Sequence, residues 1–131
     1  MESLTNKARN YFILGSIAES LGMPPEAASN LFKALFAADD AKIFELVKDS
    51  PKDHTERFMI LKARLPVLYD ITDRLFTLYR RTYTQDLEMS EVRLVKKRVM
   101  EAFEYAGIPV PGDEEVKKRI EDISRKGKAA G

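Results

Sequence analysis

TERFMILKARLPVLYDITDRLFTLYRRTY, Thr55–Tyr83, contains no Gly and one Pro. Leu61, Leu65, Leu68, Ile71, Leu75 and Leu78 recur at spacings of three and four, and Tyr69, Phe76, Tyr79 and Tyr83 form an aromatic stripe beside them. Lys62, Asp70, Asp73, Thr77, Arg80 and Thr84 take the remaining face. That period, near 3.6, predicts a helix with an apolar arc wide enough to pack on two sides. Pro66 lies on the polar face, where water can take up the carbonyl it frees, so the stretch predicts one helix kinked near Pro66 or two meeting at Arg64–Pro66.

Upstream, helix one is expected over Thr5–Leu21, with Ala8, Tyr11, Phe12, Ile17, Ala18 and Leu21 inward and Gly22 as the C-terminal cap. Pro25 starts a second helix carrying Ala28, Leu31, Phe32, Leu35 and Phe36. Asp39 would fall on its buried side, so a break is expected there, with a short helix burying Ile43, Phe44 and Val47. Asp53 or Thr55 caps the central helix. Downstream, Ser90 is the expected N-cap of a helix ending at Gly107, with Met89 and Leu94 as a hydrophobic staple. Ile108–Gly112 reads as an extended connector, and Asp113 as the cap of a last helix with the narrow stripe Val116, Ile120 and Ile123. No stretch alternates with period two for long enough to build a sheet. The expected fold is all-α: a compact bundle of five to seven helices around a long central helix, 55–83. It is one domain, 1–126, with a helix-turn-helix-like segment at 5–37, a C-terminal helix at 113–126 and a frayed tail at 127–131.

The 131 residues suffice for a real core. A formal charge of +1 gives no overall attraction to polyanions, so a nucleic-acid role needs a local patch. The absence of Cys excludes disulfides and thiolate chemistry. With no signal-peptide pattern and no run of about 18 apolar residues, a cytoplasmic protein without a membrane role is expected. His54 beside Asp53 and Glu56 matches no zinc spacing and reads as a loop His next to a helix cap. Asp70 and Asp73 could hold a cation, but Asp70 precedes Arg74 by four residues and reads as its ion-pair partner. With no phosphate-cradling Gly-rich loop and no Ser–His–Asp set, neither an enzyme nor a metal or cofactor is expected.

LGSIAESLGMPPEAASNLFKAL, residues 14–35, resembles the helix-turn-helix segment of DNA-binding regulators. Ala18 and Gly22 stand four apart, as that pattern asks, and Ile17, Leu21, Met23, Ala28 and Leu31 fill its apolar places. The resemblance implies a recognition helix starting at Pro24–Pro25, with Ser29, Asn30 and Lys33 facing bases or phosphates. The segment departs from the pattern in being poor in Arg and opening on Glu26. A second candidate is a basic edge of Arg80, Arg81, Arg93, Lys96 and Lys97, joined by Arg98, which would hold phosphates without regard to sequence. Its bland counterpart is a solvated face with local pairs such as Lys97 with Glu101. Likewise, the aromatic stripe could stack on bases, but at helical spacing it reads as core, with Tyr83 its most exposed member.

The last helix carries three apolar residues. Their full burial would contribute roughly 5–9 kcal/mol, set against the ordering of the whole segment. It is therefore expected to dock on a second subunit or another protein. Two functions follow as expectations: a nucleic-acid-binding protein, duplex DNA before RNA, in a regulatory role as a dimer, or a non-enzymatic helical protein-interaction module.

Overall fold

The computed structural model describes residues 2–130, with the side chains of residue 2 and residues 128–130 outside the description. The described residues form six α-helices and no strand: α1 Glu2–Ser20, α2 Pro24–Val47, α3 His54–Arg64, α4 Pro66–Arg81, α5 Met89–Ala106 and α6 Asp113–Ala130. The all-α bundle expected from the sequence is the fold observed. Its hub, however, is α2 rather than the 55–83 stretch. α2 buries Ala27, Ala28, Ala34, Ala37, Ala38 and Ala41 together with Leu31, Phe32, Leu35 and Ile43. So wide an apolar arc belongs to a helix with neighbours on most of its sides, and alanines let their backbones approach closely.

Contacts give the direction of each neighbour. Gly15 of α1 faces Ala27 and Leu31, and Tyr11 faces Lys33, so α1 and α2 run antiparallel along their length. Thr72 meets Asp39 and Tyr79 meets Phe32, so α4 is antiparallel to α2 as well. Lys96 pairs with Glu19, and Phe103 packs on Phe12 at 5.4 Å, which sets α5 antiparallel to α1. α1, α2, α4 and α5 thus form a four-helix bundle, with α3 laid across α2 and α4.

The break expected at Asp39–Asp40 does not occur, and α2 runs through as one helix. Asp39 is fully buried, as the sequence pattern warned, but its Oδ2 accepts a hydrogen bond from Thr72 Oγ1 at 2.7 Å. Asp40 receives both arms of the Arg57 guanidinium, at 2.7 and 2.9 Å. Two aspartates cost a helix only about 0.7 kcal/mol each in propensity, less than a broken turn would forfeit. The 55–83 stretch, by contrast, is two helices rather than one kinked helix. Leu65 takes φ −136° and ψ 66°, outside the helical region, which is disfavoured for a residue before proline. Its N–H still closes α3 on Leu61, while its carbonyl opens α4 by accepting from Tyr69.

Several ends match their sequence signals. Gly22 and Gly107 take φ 71° and 73°, and in each case the following N–H reaches back five residues, Met23 to Ala18 and Ile108 to Phe103. Asp53 caps α3 by accepting the Glu56 N–H at 2.9 Å. Others differ. Glu88, not Ser90, caps α5, and its N–H donates to the Glu91 carboxylate at 3.0 Å. Leu94 is exposed, and the buried pair at that end is Leu87 and Val92. Leu21, just past the end of α1, is exposed, while Ile13 of α1 enters the core. α6 continues as helix to Ala130 where fraying was expected, and residue 131 lies outside the described residues.

Candidate functional site

The two strongest side-chain constellations meet where α2, α3 and α4 converge. Phe32 and Phe36 lie one turn apart on α2. Phe76 and Tyr79 of α4 pack on them with Tyr83 beyond, and His54 and Phe58 of α3 close the far side. Phe36 meets Tyr79 at 5.1 Å and His54 at 4.7 Å, both edge-on, the geometry aromatic quadrupoles favour. Phe58 stands edge-on to Phe76 at 4.8 Å. His54 therefore belongs to an aromatic nest rather than a loop. Its Nδ1 accepts from Arg57 Nη1 at 2.6 Å, and Arg57 also covers Phe36 at 5.1 Å. Burial, then the Arg57 charge, hold the imidazole below its ordinary pKa, so it is neutral at pH 7.

The nest ends in an open cleft of about 290 Å³ between α2 and the α4–α5 turn. Phe32, Phe36, Tyr79 and Leu87 give it apolar walls, and Ser29, Lys33, Thr82, Tyr83 and Asp86 add polar atoms. Tyr83 is 73% exposed, and its hydroxyl shares a hydrogen bond with that of Tyr79 at 3.0 Å. That hydrogen bond, with burial behind it, pushes Tyr79 up to about 12, so it stays a protonated phenol. Most of the aromatic stripe is partly buried with Tyr83 outermost, as its position in the sequence indicated. Phe32 and Phe36, which the sequence pattern places in the core, complete the cleft. Their spacing of four matches that of Tyr79 and Tyr83, a signal that two aromatic rows could face each other.

The nucleic-acid candidates divide. Ser29 and Lys33 both line the cleft. Asn30 donates its amide back to the Glu26 carbonyl at 2.9 Å. Arg80, next to Tyr79, is exposed, with its guanidinium 5.9 Å from the Phe76 ring. Arg81 and Lys96 are half-buried and paired, with Glu91 and with Glu19 respectively, the latter at 2.8 Å. The Glu88 N–H and Arg81 keep the Glu91 carboxyl below its usual pKa. Arg93 and Lys97 are exposed on α5 and make no ion pair among the described residues. Glu101 pairs with Arg98 rather than Lys97, at 2.9 Å, and Asp70 pairs with Arg74 as expected, at 3.1 Å. Among the described residues, the unpaired cations of the expected basic edge are thus Arg80, over the Phe76 ring on α4, and Arg93 with Lys97 on α5.

The exposed part of α2's first half is a strip carrying Glu26, Ser29 and Lys33, flanked by α1 on one side and α4 on the other. No helix of the described residues is long and apolar enough to cross a membrane. The chain matches no protein-family model, and comparisons with curated proteins and with solved structures likewise find no match.

Proposed function

We propose that this protein binds nucleic acid, and that it takes a single strand in the cleft between α2 and α4. The observation that carries this reading is a single cleft lined by Ser29 and Lys33 together with Tyr79 and Tyr83, whose two hydroxyls share a hydrogen bond. A base has a face for an aromatic ring and an edge for polar groups, and its phosphate needs a cation. Tyr83 offers the ring, Ser29, Thr82 and Asp86 the edge contacts, and Lys33 and Arg80 the charge. A single strand is favoured over a duplex because a recognition helix must protrude into the major groove and cross its partner steeply. α2 instead sits between α1 and α4 and lies antiparallel to α1.

The test is fluorescence anisotropy of labelled single-stranded RNA, single-stranded DNA and duplex DNA at low and moderate salt. Tyr83→Ala is expected to weaken single-strand binding by about five- to 150-fold, the range for loss of one stacked base. Lys33→Glu weakens it further and flattens its salt dependence. Duplex binding lost with Lys33→Glu but indifferent to Tyr83→Ala would return the reading to a helix-turn-helix regulator. The uncovered stripe of α6 favours a second reading, a non-enzymatic protein-interaction module. No binding of any nucleic acid at low salt would leave that one standing.

A further inference from the structure

α6 touches the bundle chiefly through its first half. Arg9 of α1 donates to the Pro109 carbonyl at 2.9 Å and to Glu115 at 2.6 Å, and Arg119 reaches Asn10 at 3.2 Å. Beyond that, Ile120 and Ile123 are 42% and 57% exposed. A lone helix of this length is marginal in water without a packed face. The charges around the stripe say what covers it. The charged neighbours one turn from Ile120 and Ile123 are Lys117, Arg119 and Lys126, while Glu121 and Asp122 lie off that face. Two α6 helices laid together would bring these cations against each other.

The bundle carries a surface of the opposite kind. An open groove of about 600 Å³ between α4 and α5 has Val67, Ile71 and Tyr105 as its floor and Asp70, Glu101 and Glu104 as its acids. Val67 and Tyr105 are 43% and 47% exposed. Asp70 and Glu101 make only exposed pairs along their own helices, while Glu104 makes none among the described residues. Such surface pairs contribute little and give way readily. Within one chain, Arg9 holds α6 on α1, away from this groove.

We infer that α6 of one molecule docks, through Ile120 and Ile123 with Lys117 and Lys126 at the rim, into the acidic α4–α5 groove of a second copy. Reciprocal exchange of the two arms closes a two-fold dimer.

The test is sedimentation equilibrium of the full chain, with helicity checked by circular dichroism. The wild type is expected to dimerise, more weakly at high salt. An arm variant, Ile120→Asp/Ile123→Asp, and a groove variant, Val67→Lys/Glu104→Lys, each weaken dimerisation at least about tenfold. Mixed together, they recover a heterodimer, because the intact arm of one meets the intact groove of the other. Three results would overturn the inference. One is a wild type that stays monomeric. Another is a groove variant that dimerises like the wild type, which would mean that α6 pairs with α6. The last is two folded variants that fail to complement. A monomer whose α6 instead binds anionic vesicles would assign the basic stripe to a membrane surface. Nucleic-acid binding is read separately on Tyr83→Ala, so either conclusion can fail alone.

Discussion

Asp39 shows how one side chain reports on the packing around it. It is a fully buried carboxyl with a single donor, Thr72, and its Oδ1 has no partner among the described residues. Burial raises its pKa well above the ordinary 3.8, against the lowering pull of Thr72 and Arg57. The folded state therefore binds this proton more tightly than the unfolded state does. The resulting stability is complete below the unfolded pKa and is lost as pH rises towards the folded one. Asp39→Asn keeps an acceptor for Thr72 and removes the ionisable group. Denaturant titrations are expected to show the variant equal to or less stable than the wild type near pH 3.8. Its relative stability should improve as pH rises to 8, and a difference independent of pH would contradict a raised Asp39 pKa. The sequence marked Asp39 as falling on a buried face. It could not show that Thr72, more than thirty positions away, supplies the compensating donor.

At the scale of elements, four of the ends were legible and the centre was not. Gly22, Gly107, Asp53 and Pro66 act locally, through backbone conformation or a single hydrogen bond, and the pattern of neighbouring residues reveals them. The 55–83 stretch drew attention because one face is apolar and the other charged. That contrast belongs to a helix on the outside of a bundle. α2 is buried round most of its circumference and keeps only a narrow wet strip, so its periodicity is weaker, and its six buried alanines are the usable signal. Gly15 makes the same point. A Cβ there would lie 2.8 Å from Leu31 Cγ and 3.3 Å from the Ala27 carbonyl oxygen, so the glycine sets the close approach of α1 and α2. Gly15→Ala gains up to about 1 kcal/mol in helix propensity but meets overpacking that costs about 1–3 kcal/mol. A net loss near 1 kcal/mol is expected, seen as a Tm lower by about 3–5 °C in a domain this size. A Tm unchanged or raised would mean that Leu31 swings aside freely.

For the whole molecule, half of the candidate site was readable and half was assembled by the fold. Ser29 and Lys33 stood out through resemblance to a recognition helix, and Tyr83 through its place at the end of the aromatic stripe. Their shared cleft depends on α4 returning antiparallel along α2, a contact between distant segments. The pairing of two members of the basic edge has the same origin: Arg81 and Lys96 find Glu91 and Glu19 only after the helices pack. The most direct test of the cleft is a ¹H–¹⁵N NMR titration with a short single-stranded oligonucleotide. Shifts centred on Ser29, Lys33, Thr82 and Tyr83, absent in Tyr83→Ala, are the expected result. Shifts confined to the α5 face around Arg93 and Lys97, or no shifts at low salt, would contradict the assignment of this cleft as the binding site.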